Sequence, residues 1–181
     1  YYRPLMHVVY MMEYQVSGLS PWAYHLMNVL IHTGTSLLVF FVALQLLRRS
    51  GDTSSSRSAG IAFLSALCFA AHPIHSEAVA WIGGLPDLGF TFFYLLSFYL
   101  YIQSTEQEGI SLSRYVASLL GFALALLFKE PALTLPLLLL AYCYSYRRER
   151  LRVNVMRQIP YAVIAVAYLC VRTAVLGGMI P

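Results

Sequence analysis

The sequence predicts an all-α fold, a polytopic bundle of transmembrane helices, and three observations carry that prediction. Hydrophobic residues make up 59% of the 181-residue chain and charged residues 11%, against roughly 25% charged in a soluble domain. The apolar residues fall into successive runs of about 20, the length a helix needs to cross roughly 30 Å of hydrocarbon. Between them lie polar breaks such as Gly51-Asp52-Thr53-Ser54-Ser55-Ser56 and the basic stretch Arg147 to Arg157.

Residues 1–21 mix Tyr, Met, Val and Leu with Arg3, His7, Glu13 and Gln15. The segment is too polar to span and apolar enough to lie along an outer interface, and Ser17-Gly18-Leu19-Ser20-Pro21 ends it. Six membrane spans then fill 22–176: Trp22 to Leu47, Ala59 to about Ile82, Asp87 to Gln103, Arg114 to Phe128, Pro131 to Tyr146 and Ile159 to Leu176. Within the second, Ala59 to Ala71 gives about 20 Å of helix, too short to cross, so the crossing is expected to continue past Pro73. His72-Pro73 marks either a kink or the start of a new helix. The start, Tyr1-Tyr2-Arg3-Pro4-Leu5, lacks a leader's charged, apolar and small-residue layout, so 1–181 reads as one partial membrane domain of a longer protein.

Basic residues favour the cytoplasmic side. Alternation of the six spans assigns Arg48, Arg49, Arg57, Arg114, Arg147, Arg148, Arg150, Arg152 and Arg157 to that side and leaves Arg3, Lys129 and Arg172 opposite. The net charge of +4 therefore reflects topology, and without a basic patch interleaved with aromatics it gives no reason to expect nucleic acid as a partner. Cys68, Cys143 and Cys170 each sit in an apolar run without CxxC pairing and read as small buried hydrophobes.

The same alternation collects the chemistry-bearing residues, Arg3, Glu13, His25, His72, His75, Glu77, Asp87, Lys129, Glu130 and Arg172, at the outer half. Ionisable groups at membrane depth are costly and mark functional sites by default. In His72-Pro73-Ile74-His75-Ser76-Glu77 the HxxHxE spacing suits a metal, but on a regular helix Glu77 points away from the shared face of His72 and His75. A water-facing polar site on His75 and Glu77 is the better fit, with interfacial residues at a helix end as the bland alternative. His25, Asn28 and His32 form one stripe, in which Asn28 and His32 suit interhelical hydrogen bonding and His25 can reach a site. Lys129-Glu130 is the lone charged break between two apolar runs; a helix end snorkelling into headgroups is its alternative. Asp87 can simply cap a helix, and Arg172 can anchor one. The wealth of Tyr and Phe suits interfacial belts or a prenyl groove.

Taken in order, Tyr2-Arg3-Pro4-Leu5, Tyr24-His25-Leu26-Met27-Asn28-Val29-Leu30-Ile31-His32, His72-Pro73-Ile74-His75-Ser76-Glu77-Ala78-Val79-Ala80, Lys129-Glu130 and Pro160-Tyr161 with Leu176-Gly177-Gly178 resemble the membrane half of the transmembrane and tetratricopeptide-repeat O-mannosyltransferases and their bacterial relatives. These are GT-C glycosyltransferases, and the likeness covers nearly the whole chain. It implies transfer of a sugar, with inversion, from a polyprenyl-phosphate donor to an acceptor hydroxyl on protein or glycan at the outer or lumenal face. The expected partners are membrane lipids, the lipid-linked donor and the acceptor; no cofactor is required by the pattern, and a divalent metal is left open. The resemblance assigns Arg3 to donor phosphate, with Lys129 and Arg172 as further cations, His25, His72 and Glu130 near substrate, and Glu77 with His75 and Asp87 as catalytic candidates.

Two departures matter. In the family the principal catalytic aspartate precedes the Arg-Pro-Leu motif, where this chain begins. Many relatives read Gly-Arg-Ala-Asp-Leu where this chain has Gly84-Leu85-Pro86-Asp87-Leu88, which leaves the transferred sugar open. The expected setting is a multi-pass protein of a bacterial inner membrane or the endoplasmic reticulum. The competing functions are a proton or solute transporter bundle, which would place its site near the midplane, and a non-catalytic membrane anchor.

Overall fold

The computed structural model describes residues 2–51, 54–105, 111–146 and 151–177; Arg147, Arg148, Arg150 and Gly178 lie outside them. Among the described residues every regular element is helical. Helix α1 (Pro4–Ser17) opens with proline in its first turn and closes at Gly18, whose φ of 58° lets its N–H reach the Tyr14 carbonyl. Helix α2 (Trp22–Arg49) ends on Arg48 and Arg49, cations that complement the negative end of its dipole. Helix α3 (Ser55–Ala71) is capped by the Ser54 hydroxyl, which accepts from the Arg57 N–H.

Within the segment from Ala59 to Ile82 the helix is interrupted at His72-Pro73. Proline disfavours helical geometry in the residue before it, and His72 is extended at φ −68°, ψ 128°. The chain restarts as a six-residue helix α4 (His75–Ala80), with Glu77 in its first turn, followed by a 3-10 turn at Ile82–Gly84. Of the two readings of His72-Pro73, a new helix is the one observed. A Cβ at Gly84 would overlap the Ala78 carbonyl, so only glycine permits this tight return.

Helix α5 (Leu85–Ser104) follows, then α6 (Leu112–Phe128), a 3-10 turn at Glu130–Thr134, α7 (Leu135–Tyr146) and α8 (Leu151–Leu176). Contacts fix their directions. Gly34 meets Phe92 and Phe41 meets Tyr99, so α2 and α5 run parallel. Gly89 meets Phe128 and Gly121 meets Ser97, so α6 is antiparallel to α5. Tyr115 pairs with Arg157 and Ser118 with Tyr161, so α8 runs with α6. The buried core, including Phe98, Tyr101, Phe122, Leu126, Leu139 and Tyr161, lies among α5 to α8.

The helices α2, Ile82–Ser104 and Arg152–Leu176 are long and apolar enough to cross a membrane, and Ser55–Ala71 and Leu112–Phe128 are shorter apolar helices. Exposed Leu26, Leu30, Phe63, Leu67, Val163 and Val166 give the bundle an apolar exterior. That exterior identifies a helical membrane bundle, since backbone groups satisfied within helices are what hydrocarbon tolerates. It also corrects the reading of the cysteines: Cys143 is buried, but Cys68 and Cys170 are exposed on outward helix faces.

Candidate functional site

Five charged residues gather where α1 begins, α5 begins, α6 ends and α8 ends. Arg3 precedes Pro4, whose fixed φ starts α1. Lys129 leaves α6 in an extended conformation, φ −159° and ψ 142°, and Pro131 starts the following turn. Neighbours that would diverge on a helix therefore serve two separate pairings. Lys129 Nζ donates to Asp87 Oδ1. Glu130 receives Arg3 at 3.6 Å on one oxygen and Arg172 at 3.5 Å on the other, with all three side chains about four-fifths buried.

The sequence brings these partners together through packing. Phe128 is buried and stacks on Phe93 at 5.7 Å between centroids. Its ring occupies the space that a Cβ on Gly89 would fill. Gly89 lies two residues after Asp87 and Phe128 one before Lys129, so this close approach sets the Asp87–Lys129 pairing. Tyr2 packs against Tyr168 at 6.1 Å, tying the start of α1 to α8 beside Arg3 and Arg172.

The remaining candidates separate. The buried Asn28 donates to the Val79 and Trp81 carbonyls at 3.3 and 3.0 Å, satisfying the irregular backbone after α4. His32 bonds the Ala70 carbonyl at 3.2 Å. Both therefore act in interhelical bonding. His25 is exposed. His75 packs on Phe69 at 4.3 Å, with the His32 and His72 rings 5.4 and 6.1 Å away. Glu77 is exposed. Among the described residues no group of three or more His, Cys, Asp or Glu side chains is arranged to hold a metal ion.

Two features escaped the sequence reading. One is a buried polar ladder at the other half of the bundle. Ser97 and Ser118 each donate to the other's backbone carbonyl at 2.7 and 2.6 Å, which leaves Tyr161 to donate to Ser118 Oγ at 2.6 Å. Gln158 donates to Tyr101, whose hydroxyl lies 3.2 Å from Cys143 Sγ. The other is the burial of Glu13, which the sequence placed among the chemistry-bearing residues of the outer half without assigning it a role. Glu13 is 4% exposed and neither carboxylate oxygen has a hydrogen-bond partner; burial pushes its proton affinity up.

A groove of about 290 Å³ lies between α6 and α8, lined by Leu126, Leu127, Ile164 and Ala167 and bounded by Tyr2, Tyr168 and Val171. Its rim residues Tyr2 and Val171 directly adjoin Arg3 and Arg172 in sequence.

The sequence is similar to that of known proteins. The chain is 37% identical over 137 residues to protein O-mannosyl-transferase TMTC2 of Homo sapiens, covering 74% of this chain and 15% of that protein. It is 38% identical over 136 residues to TMTC2 of Xenopus laevis, with the same coverage. For TMTC4 of Homo sapiens the identity is 36% over 143 residues, 74% of this chain and 19% of that protein. The chain belongs to the TMTC-like family. It spans 15% of the length of the TMTC2 relatives, so it corresponds to one portion of a TMTC protein. No protein-family model and no solved structure matches the chain. Within a TMTC-like chain, the charged cluster gives the Arg-Pro-Leu and Lys-Glu motifs a shared place that their separation in sequence conceals.

Proposed function

We propose that this chain forms the donor-binding part of a membrane O-mannosyltransferase that uses a polyprenyl-phosphate-linked mannose and acts on a protein hydroxyl. The TMTC relatives carry the name O-mannosyl-transferase. One observation supports the donor assignment: Arg3 and Arg172 meet on Glu130 and are the sequence neighbours of Tyr2 and Val171, which line the α6–α8 groove. A prenyl chain in the groove would leave its phosphate beside both guanidiniums, groups suited to planar, multidentate phosphate recognition. Lys129, held by Asp87, is the third cation of this face.

In the reaction the acceptor oxygen attacks the anomeric carbon as the bond to the lipid phosphate oxygen breaks. The electron pair leaves with the phosphate, and Arg3 and Arg172 stabilise the charge that develops there. The hydroxyl proton passes to a carboxylate. Asp87, paired with Lys129, and the exposed Glu77 are this chain's candidates, and the family resemblance places the principal base upstream of the Arg-Pro-Leu motif. The basic residues that the sequence assigns to the opposite side support a lumenal position for this face. The animal relatives favour the endoplasmic reticulum over a bacterial inner membrane.

The test is transfer of mannose from a radiolabelled polyprenyl-phosphate donor by the full-length protein in proteoliposomes. Arg3→Ala and Arg172→Ala are each expected to lower transfer about 10- to 100-fold, the equivalent of one charge-assisted phosphate contact. Wild-type rates in both, at equal protein levels, would remove the donor site.

A further inference from the structure

We infer that the cleft between α1 and α2 binds the hydroxyl end of a neutral membrane lipid, with Glu13 as the hydrogen-bond acceptor. The cleft holds about 220 Å³. Met12 and Val16 of α1 and Trp22, Leu26, Met27 and Leu30 of α2 line it, together with Glu13. From Trp22 to Leu30 it follows α2 for roughly 12 Å, at 1.5 Å per residue. Leu26 and Leu30 are exposed on the apolar exterior of a helix long enough to cross the membrane, so lipid has direct access to it.

Glu13 makes this more than a greasy surface. A buried polar side chain without a partner loses the free energy of its hydration, yet the Glu13 carboxylate is buried with both oxygens unpaired. A ligand that donates one hydrogen bond and is otherwise apolar meets both needs of the cleft. The lining also discriminates among lipids. It contains no Lys, Arg or His, so a phospholipid would bring a phosphate with no counter-charge beside a carboxylate. A sterol, a free polyprenol or a diacylglycerol brings a hydroxyl donor and no anion. The site is separate from the donor cluster: Glu13 lies ten residues along α1 from Arg3, roughly 15 Å, and occupancy is read without any transfer reaction.

The full-length protein in nanodiscs, irradiated with diazirine-bearing sterol, polyprenol or diacylglycerol, provides the test. At least one of the three is expected to label peptides from Met12–Leu30. The unlabelled parent alcohol should compete about tenfold better than its methyl ether, which keeps the body and loses the donor; tenfold corresponds to about 1.4 kcal/mol. Glu13→Ala should abolish that preference, and Glu13→Gln, whose amide oxygen still accepts, should retain much of it. Which probe labels distinguishes the lipid source. Labelling indifferent to the methyl ether in the wild-type protein, or absent for all three probes, overturns the proposal even if the variants fail to fold.

Discussion

Adding one methyl group at Gly89 should uncouple the charged cluster from the bundle. A Cβ there would stand 2.5, 2.6 and 2.7 Å from three atoms of the Phe128 ring, where carbon atoms prefer about 3.5–4.0 Å. The ring must retreat by roughly 1 Å on that contact scale. Phe93 stacks on it at 5.7 Å and Phe128 is 2% exposed, so the strain passes to the end of α6 and to Lys129. Overpacking of this kind costs about 1–3 kcal/mol. At about 2–4 °C per kcal/mol for a chain of this size, Gly89→Ala should lower the Tm of the detergent-solubilised protein by roughly 3–10 °C. The second expectation is specific to the mechanism. Phe128→Leu removes the clashing ring atoms, so the double variant should be more stable than the sum of the two single losses, with coupling of about 1 kcal/mol or more. An unchanged Tm for Gly89→Ala, or strict additivity with Phe128→Leu, would refute the claim that the Gly89–Phe128 contact is tight enough to set the Asp87–Lys129 pairing.

Three further expectations rest on other contacts. Glu13 has its proton affinity raised by burial, so the folded state holds the proton more tightly than the unfolded one. Its contribution to stability is fully present below the unfolded pKa of about 4.5 and is lost as pH rises through the higher folded value. Glu13→Gln should therefore stabilise the protein at neutral pH and lose that advantage in acid, as measured by Tm against pH. Ser118→Ala removes the acceptor of Tyr161 and the donor to the Ser97 carbonyl; in a buried ladder this should cost about 1–3 kcal/mol, read from the same melting assay. Asn28→Leu leaves the Val79 and Trp81 carbonyls without their side-chain donor, and amide exchange should rise at α4 and the turn after it before it rises in α5.

What the sequence made legible followed from local cost. Charged residues in apolar runs are expensive, so Arg3, Lys129, Glu130 and Arg172 stood out, and alternation of helices put them at one end. The pairings depended on distant packing. Lys129 reaches Asp87, 42 positions away, because a glycine on one helix admits a ring on another, and no periodicity announces that. The same limit explains Glu13. It could be counted among the ionisable residues of the outer half but given no role, because its burial depends on where α1 settles on α2. Ser97, Ser118, Tyr101 and Tyr161 were hidden for a different reason. Hydroxyls interrupt an apolar run too weakly to register, although each must find a partner once water is excluded. The small residues Ser97 on α5 and Ser118 and Gly121 on α6 were the available signal, since small residues let helix backbones approach closely in a membrane. This division has a functional meaning. The half of the bundle with the ladder is held by the hydroxyl bonds of Ser97, Ser118 and Tyr161, which tie α5, α6 and α8 together, while the opposite half ends in charges that hold one another across three helix ends and the turn after α6. On the proposed donor reading, a substrate phosphate would take over the guanidiniums that Glu130 now holds, while the packed core that positions them stays in place.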